Sequence, residues 1–187
     1  MNDSRSAPHQ RCPAMQWLAG LLLVSYGGCG ASQAPEPLPP PDEVNLLTPF
    51  LTHGVPSEIR SFSSSDGEFF VEHVSGGRRR EQSLLIEGDG QFGGTNVGRI
   101  PLEGVKGYVA TAFVDCSEGQ AFIKLDYYRK DEHLGSTQSA AARRGGWQQL
   151  AALSQRSRFP TATHLVVVAV CRGKTKARYD DFALVEQ

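Results

Sequence analysis

The sequence predicts an all-β domain over residues 45–187, built as a sandwich of two antiparallel sheets. Three observations carry that expectation. The apolar runs are short, rich in Val, Phe and Tyr, and separated by turns bearing Gly or Ser. The 187 residues include 20 Gly and 11 Pro, a punctuation that suits turns and leaves no room for a helical bundle or a coiled coil. Residues 121–128 alternate strictly: Ile123, Leu125 and Tyr127 fall on one face, and Phe122, Lys124, Asp126 and Tyr128 on the other. A strand between a core and a second face needs that period of two.

Taken in order, the strand segments are 68–74 (EFFVEHV), 82–88 (QSLLIEG), 107–116 (GYVATAFVDC), 121–129 (AFIKLDYYR), 163–171 (THLVVVAVC) and 178–186 (RYDDFALVE). Two pairs read as hairpins, joined by SEGQ at 117–120 and RGKTK at 172–176, each with a Gly where a positive φ is needed. Residues 147–157 have the Ala and Gln content of a helix, but the surrounding strands favour a strand from Trp147 onward. No repeat of solenoid period is visible. Residues 45–187 are enough for one core of ordinary size.

The chain before residue 45 reads as an address and a tether. Arg5 and Arg11 precede an apolar run from Met15 to Tyr26, which closes on Gly27 and Gly28, the layout of a secretory signal peptide. That run is shorter than the roughly 20 apolar residues a membrane-spanning helix needs. Gly27-Gly28-Cys29 resembles a bacterial lipobox, which implies signal removal after residue 28 and diacylation of Cys29. Tyr26 departs from the aliphatic residue usual there, leaving ordinary cleavage near Ala31 as the alternative. Gly30 is not the Asp that, in the sorting pattern this resembles, retains a lipoprotein at the inner membrane, so an outer-membrane address is expected in a diderm host. Residues 29–44 then carry the lipid and a Pro-rich spacer.

Charge and motifs narrow the function classes. A formal charge of −1 provides no global drive toward nucleic acid. Gly88-Asp89-Gly90-Gln91-Phe92-Gly93 satisfies GxGxxG, yet no helix signal follows, so it reads as a Gly-rich loop and not as a dinucleotide site. His53, His73, His133 and His164 lack two-ligand spacing for zinc. No nucleophile elbow is present, and the expectation is a protein that is not an enzyme. Arg78-Arg79-Arg80 and Arg143-Arg144 read as solvated loops, with anionic glycan contact the sharper alternative for the triplet. Trp147 reads as a residue packed in the core at a strand start.

Six segments, in order, resemble the galactose-binding-like jelly rolls that include the carbohydrate-binding modules found beside cellulases and xylanases. They are NLLTPF (45–50), GGRRREQSLLIEG (76–88), VGRIPLEGVKGYVATAFV (97–114), AFIKLDYYRKDEHLG (121–135), Trp147 and RYDDFAL (178–184). The resemblance implies a single jelly-roll sandwich and a binding role, but not the ligand, since the fold serves many tasks. It also implies a structural calcium near the first strand, with Asp180 as a ligand; the alternative is that Asp180 caps backbone amides or pairs with a nearby base. The opening segment Pro49-Phe50-Leu51-Thr52 supplies none of the Glu expected there. No other cofactor is implied. On the jelly-roll alignment Cys116 and Cys171 both end strands at one end of the sandwich. In an exported chain they would form a disulfide, with two buried free thiols as the alternative.

The ligand face expected from the alternation is Phe122, Lys124, Asp126 and Tyr128: two rings for the apolar face of a sugar, with a donor and an acceptor for its hydroxyls. These features together read as a lipid-anchored envelope protein that binds glycan without catalysis. The rival is a structural or adhesive lipoprotein whose sandwich contacts another envelope protein.

Overall fold

The structure, a computed structural model, describes residues 44–104 and 106–187. The signal segment, Cys29 and the spacer up to residue 43 lie outside the described residues. A one-turn 3-10 segment at Thr48–Phe50 leads into a small ribbon of β1 (Leu51–Thr52) and β2 (Val55–Pro56). The sandwich strands follow as β3 (Arg60–Ser63), β4 (Glu68–Ser75), β5 (Gln82–Asp89), β6 (Gly93–Pro101), β7 (Tyr108–Arg129), β8 (Glu132–Gln138), β9 (Gln148–Leu153) and β10 (His164–Glu186).

Two very long strands organise the fold. β7 and β10, of 22 and 23 residues, run antiparallel from His164 opposite Tyr128 to Glu186 opposite Tyr108. The first half of β10 pairs on its other side with β6, and the second half with β5. One layer is therefore β3-β6-β10-β7-β8, and the other is β4-β5-β10-β7-β9. The two hairpins expected at 117–120 and 172–176 are not formed. SEGQ and RGKTK are facing bends at which β7 and β10 cross together from one layer to the other, with a register shift between Arg172 and Lys176. Gly119 (φ +77°) and Gly173 (φ +65°) supply the backbone conformation, but for a corner and not for a reversal.

The sequence-level segments 68–74, 82–88 and the strand after Trp147 coincide with β4, β5 and β9. β3, β6 and β8 were not distinguishable as separate strands; β6 and β8 fall partly inside the segments that carry the jelly-roll resemblance. The Gly88–Gly93 stretch joins β5 to β6 and opens no helix.

Between the layers, Ile123, Leu125 and Tyr127 are fully buried with Leu84, Ile86, Leu165, Val167, Tyr179 and Leu184, as the alternation requires. Burying each such side chain is worth about 1.5–3 kcal/mol. Both open edges are stitched. Ser63 Oγ accepts the Phe69 N–H on one side, and Thr137 Oγ1 donates to the Leu153 carbonyl on the other. Trp147 is not in this core. It is half-buried on an outer face, with the Arg178 guanidinium 5.5 Å from its ring centroid.

The Cys116–Cys171 disulfide expected from the alignment is not formed. Both cysteines are free and fully buried. Each is held as a thiol in its own pairing: Cys116 Sγ donates to the Glu118 carbonyl at 3.2 Å, and Cys171 Sγ lies 3.5 Å from the Tyr179 hydroxyl. Burial pushes the Cys171 thiol up to about 12 and raises that of Cys116, so neither forms appreciable thiolate at neutral pH. Alkylation followed by peptide mapping should label neither cysteine in the native protein. Both should be labelled once the chain is unfolded without reductant; labelling of neither after unfolding would restore the disulfide.

Candidate functional site

The outer face of the β3-β6-β10-β7-β8 layer carries its residues in rows set by register. Arg60, Asn96, Val168, Lys124 and Gln138 stand opposite one another across all five strands. The adjacent row is Arg99, Val166, Asp126 and Ser136, and the next is His164, Tyr128 and His133. All four residues expected from the alternation of β7 are on this face, but they do not form one open row of contacts. Phe122 is buried at 3% exposure with Val166, Val168 and Val170 in a second apolar cluster, capped by the Arg172 guanidinium 5.0 Å from its centroid. It is a structural residue, not a platform for a ligand. Asp126 is buried too, its Oδ1 3.1 Å from Lys124 Nζ and accepting a 2.5 Å hydrogen bond from Ser136 Oγ. Lys124 and Tyr128 remain half-exposed.

Tyr128 alone of the four lines a cleft of about 480 Å³, bounded by Phe50 and Glu58 from the opening segment and by β3, β6 and β10. Its ring stacks on His164 with centroids 5.4 Å apart and planes 7° from parallel, and meets His133 at a 59° tilt with centroids 5.2 Å apart. Burial, with the Arg99 guanidinium nearby, holds His164 below its ordinary value, so the stacked imidazole is neutral at pH 7. Burial, with Asp126 beside it, raises the Tyr128 hydroxyl. A pair of neutral rings is thus framed by polar groups. Arg99 Nη2 donates to the Lys130 carbonyl at 3.1 Å and lies 3.4 Å from His164 Nδ1, while Asn96 and Arg60 project from the neighbouring strands. Sequence reasoning did not find Arg60, Asn96, Arg99 or His164. In β6 the period of two breaks at a bulge, where Asn96 pairs with Val168 and Gly98 with Val167, so Asn96 and Arg99 reach the same face three residues apart.

Ser136, His133 and Asp126 supply the side chains of a hydrolase triad without its order. In a triad the imidazole stands between the other two, one ring nitrogen for each. Here the serine hydroxyl is spent on the carboxylate, and a single nitrogen, His133 Nε2, faces both Ser136 Oγ at 3.2 Å and Asp126 Oδ1 at 3.5 Å. The cluster has no activated nucleophile.

At the opposite corner, Asp180 is fully buried on β10. Its Oδ2 accepts the Arg78 N–H at 2.7 Å and its Oδ1 the Asp181 N–H at 2.7 Å. Gly77 is required beside it, since a Cβ there would stand 2.6 Å from Asp180 Oδ2. Asp181 in turn faces Arg78 Nη1 at 3.6 Å and Arg80 Nε at 3.5 Å, and the Arg78 guanidinium lies 3.4 Å from the Phe113 centroid. The Arg triplet is therefore not simply a solvated loop. A structural calcium does not fit these residues: the Asp180 oxygens already serve amide donors, two guanidiniums occupy the acidic side, and no cluster of three metal-ligating side chains occurs among the described residues.

No family model matches the sequence, and no curated protein does. Solved structures match in shape. The chain is similar to carbohydrate-binding modules of the β-sandwich superfamily described as promiscuous in specificity, with a TM-score of 0.54 at 9% identity over 77% of this chain and 62% of that one. It is similar to the CBM22-1–GH10 modules of Clostridium thermocellum endo-1,4-β-D-xylanase 10B, complexed with xylohexaose, with a TM-score of 0.51 at 13% identity over 76% of this chain and 27% of that one. It also matches the enzymatically active domain of the bacteriophage CBA120 tailspike protein 4, with a TM-score of 0.52 at 6% identity over 74% and 21%. The chain thus spans less than two thirds of each of these proteins. The likeness is one of fold: the domain is a jelly-roll β-sandwich.

Proposed function

We propose that this chain is an exported, lipid-anchored protein that binds glycan without catalysis, using the outer face of the β3-β6-β10-β7-β8 layer. The observation that carries the reading is the cleft at Tyr128: a half-exposed ring braced by His164 and surrounded by the side chains of Arg60, Asn96 and Arg99. A pyranose needs that combination, because its C–H face packs on a ring while its hydroxyls exchange hydrogen bonds with guanidinium, amide and carboxylate groups. The fold shared with carbohydrate-binding modules supports the reading. Domain limits of 1–28 for the signal, 29–44 for the lipidated tether and 45–187 for the sandwich, and an outer-membrane address in a diderm host, belong to the same proposal.

A glycan array probed with the exported protein tests the binding role. Retention on a set of related glycans is expected, and retention on none would remove it. The anchor is tested separately. Labelled palmitate should enter the wild-type protein and fail to enter Cys29→Ser; equal labelling of the two would show that Cys29 is not the acylated residue.

A further inference from the structure

The charges on this face are unevenly compensated, while the whole chain carries a formal −1. Lys124 is neutralised by Asp126, and Arg60 by Glu58. Arg99 has only the loose, solvated Asp131 at 3.9 Å. Among the described residues, Lys130 in the cleft and Arg172 above Phe122 meet no carboxylate within ion-pair distance. These cations stand at the two ends of one strand pair. Arg172 and the Val166 row that contains Arg99 are six residues apart along β10, about 20 Å at the rise of a strand.

Resting on the glycan-binding reading, we propose that the ligand is an acidic polysaccharide, a linear glycan with anionic groups recurring along it. One end of the outer face takes an anion at Arg99 and Lys130, in the cleft, and the other takes one at Arg172. The separation exceeds the Debye length of about 8 Å at physiological ionic strength, so the two ends act as separate sites. A single charged sugar can satisfy only one of them. A polymer satisfies both at once and gains from the second contact as an intramolecular event. Guanidinium groups suit carboxylate and sulfate alike, since both present paired oxygens to the planar fork.

The test is affinity electrophoresis of the full exported protein against polygalacturonate, its carboxyl-reduced neutral counterpart, a sulfated galactan and single-stranded DNA. Polygalacturonate or the sulfated galactan should bind at least about tenfold tighter than the neutral polymer, and the difference should shrink with added salt. Whichever is tighter identifies the anion. Arg172→Gln and Lys130→Gln, both on exposed side chains, should each lower the acidic-to-neutral affinity ratio by roughly threefold or more. Equal binding of acidic and neutral polymers would overturn the proposal and leave the glycan-binding reading intact. DNA bound as tightly as the acidic glycan would overturn it in favour of general polyanion attraction, and no binding to any glycan would remove both readings.

Discussion

Asp180→Ala is expected to destabilise the domain by about 3 kcal/mol, because it leaves the part-buried N–H groups of Arg78 and Asp181 without an acceptor and frees the Arg78–Asp181 pair to reorganise. For a domain of this size that corresponds to a fall of roughly 10 °C in the unfolding midpoint. The corner joins three distant parts of the chain. The loop after β4 supplies Arg78, the last strand supplies Asp180 and Asp181, and Gly54 accepts the Phe182 N–H at 3.0 Å. Burial raises the Asp180 carboxyl above its ordinary 3.8, with the amide donors opposing the rise. The folded state therefore holds that proton more tightly than the unfolded chain does. The contribution linked to Asp180 is complete below 3.8 and shrinks as pH rises through the raised value, so the cost of Asp180→Ala should be greater at pH 4 than at pH 7. Since the cations at this corner are Arg78 and Arg80, added calcium or a chelator should leave the wild-type midpoint unchanged. A fall in the midpoint on chelation would contradict the account of this corner.

Tyr128→Ala is the second large expectation, and its effect is on binding. Removing the ring empties the wall of the cleft and should weaken glycan affinity about tenfold, the usual loss at a desolvated aromatic anchor. The midpoint should fall by only a few degrees, because Tyr128 is half-buried on the outer face and contributes a stack on His164 without entering the main core. Tyr128→Phe keeps the stack and should retain most of the affinity. Phe122→Ala should behave in the opposite way, costing stability first, since Phe122 is buried under Arg172 with three valines. Calorimetric titration together with thermal unfolding separates the two patterns.

The contrast between Phe122 and Tyr128 shows how far the sequence was legible. Alternation along 121–128 assigned every side chain of that stretch to the correct face, because a period of two is fixed by backbone geometry alone. It could not tell which residues of the outer face would be covered, since the cover comes from Val166, Val168, Val170 and Arg172 on a strand some forty residues away. The corners at Gly119 and Gly173 fail for a related reason. A glycine with positive φ serves a hairpin or a bulge equally well, and the choice is made by the partner strand, here by β7 and β10 bending against each other. The Arg triplet read as a solvated loop because nothing local distinguishes Arg78 from Arg79; its burial depends on Phe113 and Asp181, both far along the chain. Asp180, by contrast, falls by alternation on the inward side with Phe182 and Leu184, and the structure buries all three.

On the proposed reading, glycan lies on the outer face of the β3-β6-β10-β7-β8 layer, in the cleft at Tyr128. Titrating the isotope-labelled protein with an oligosaccharide selected by the array, while following backbone amide shifts, tests it most directly. The largest shifts are expected on Asn96, Arg99, Tyr128 and His164, with Trp147 and Arg178 on the other layer unmoved. Shifts centred on Trp147 and Arg178, with the Tyr128 cleft silent, would contradict it.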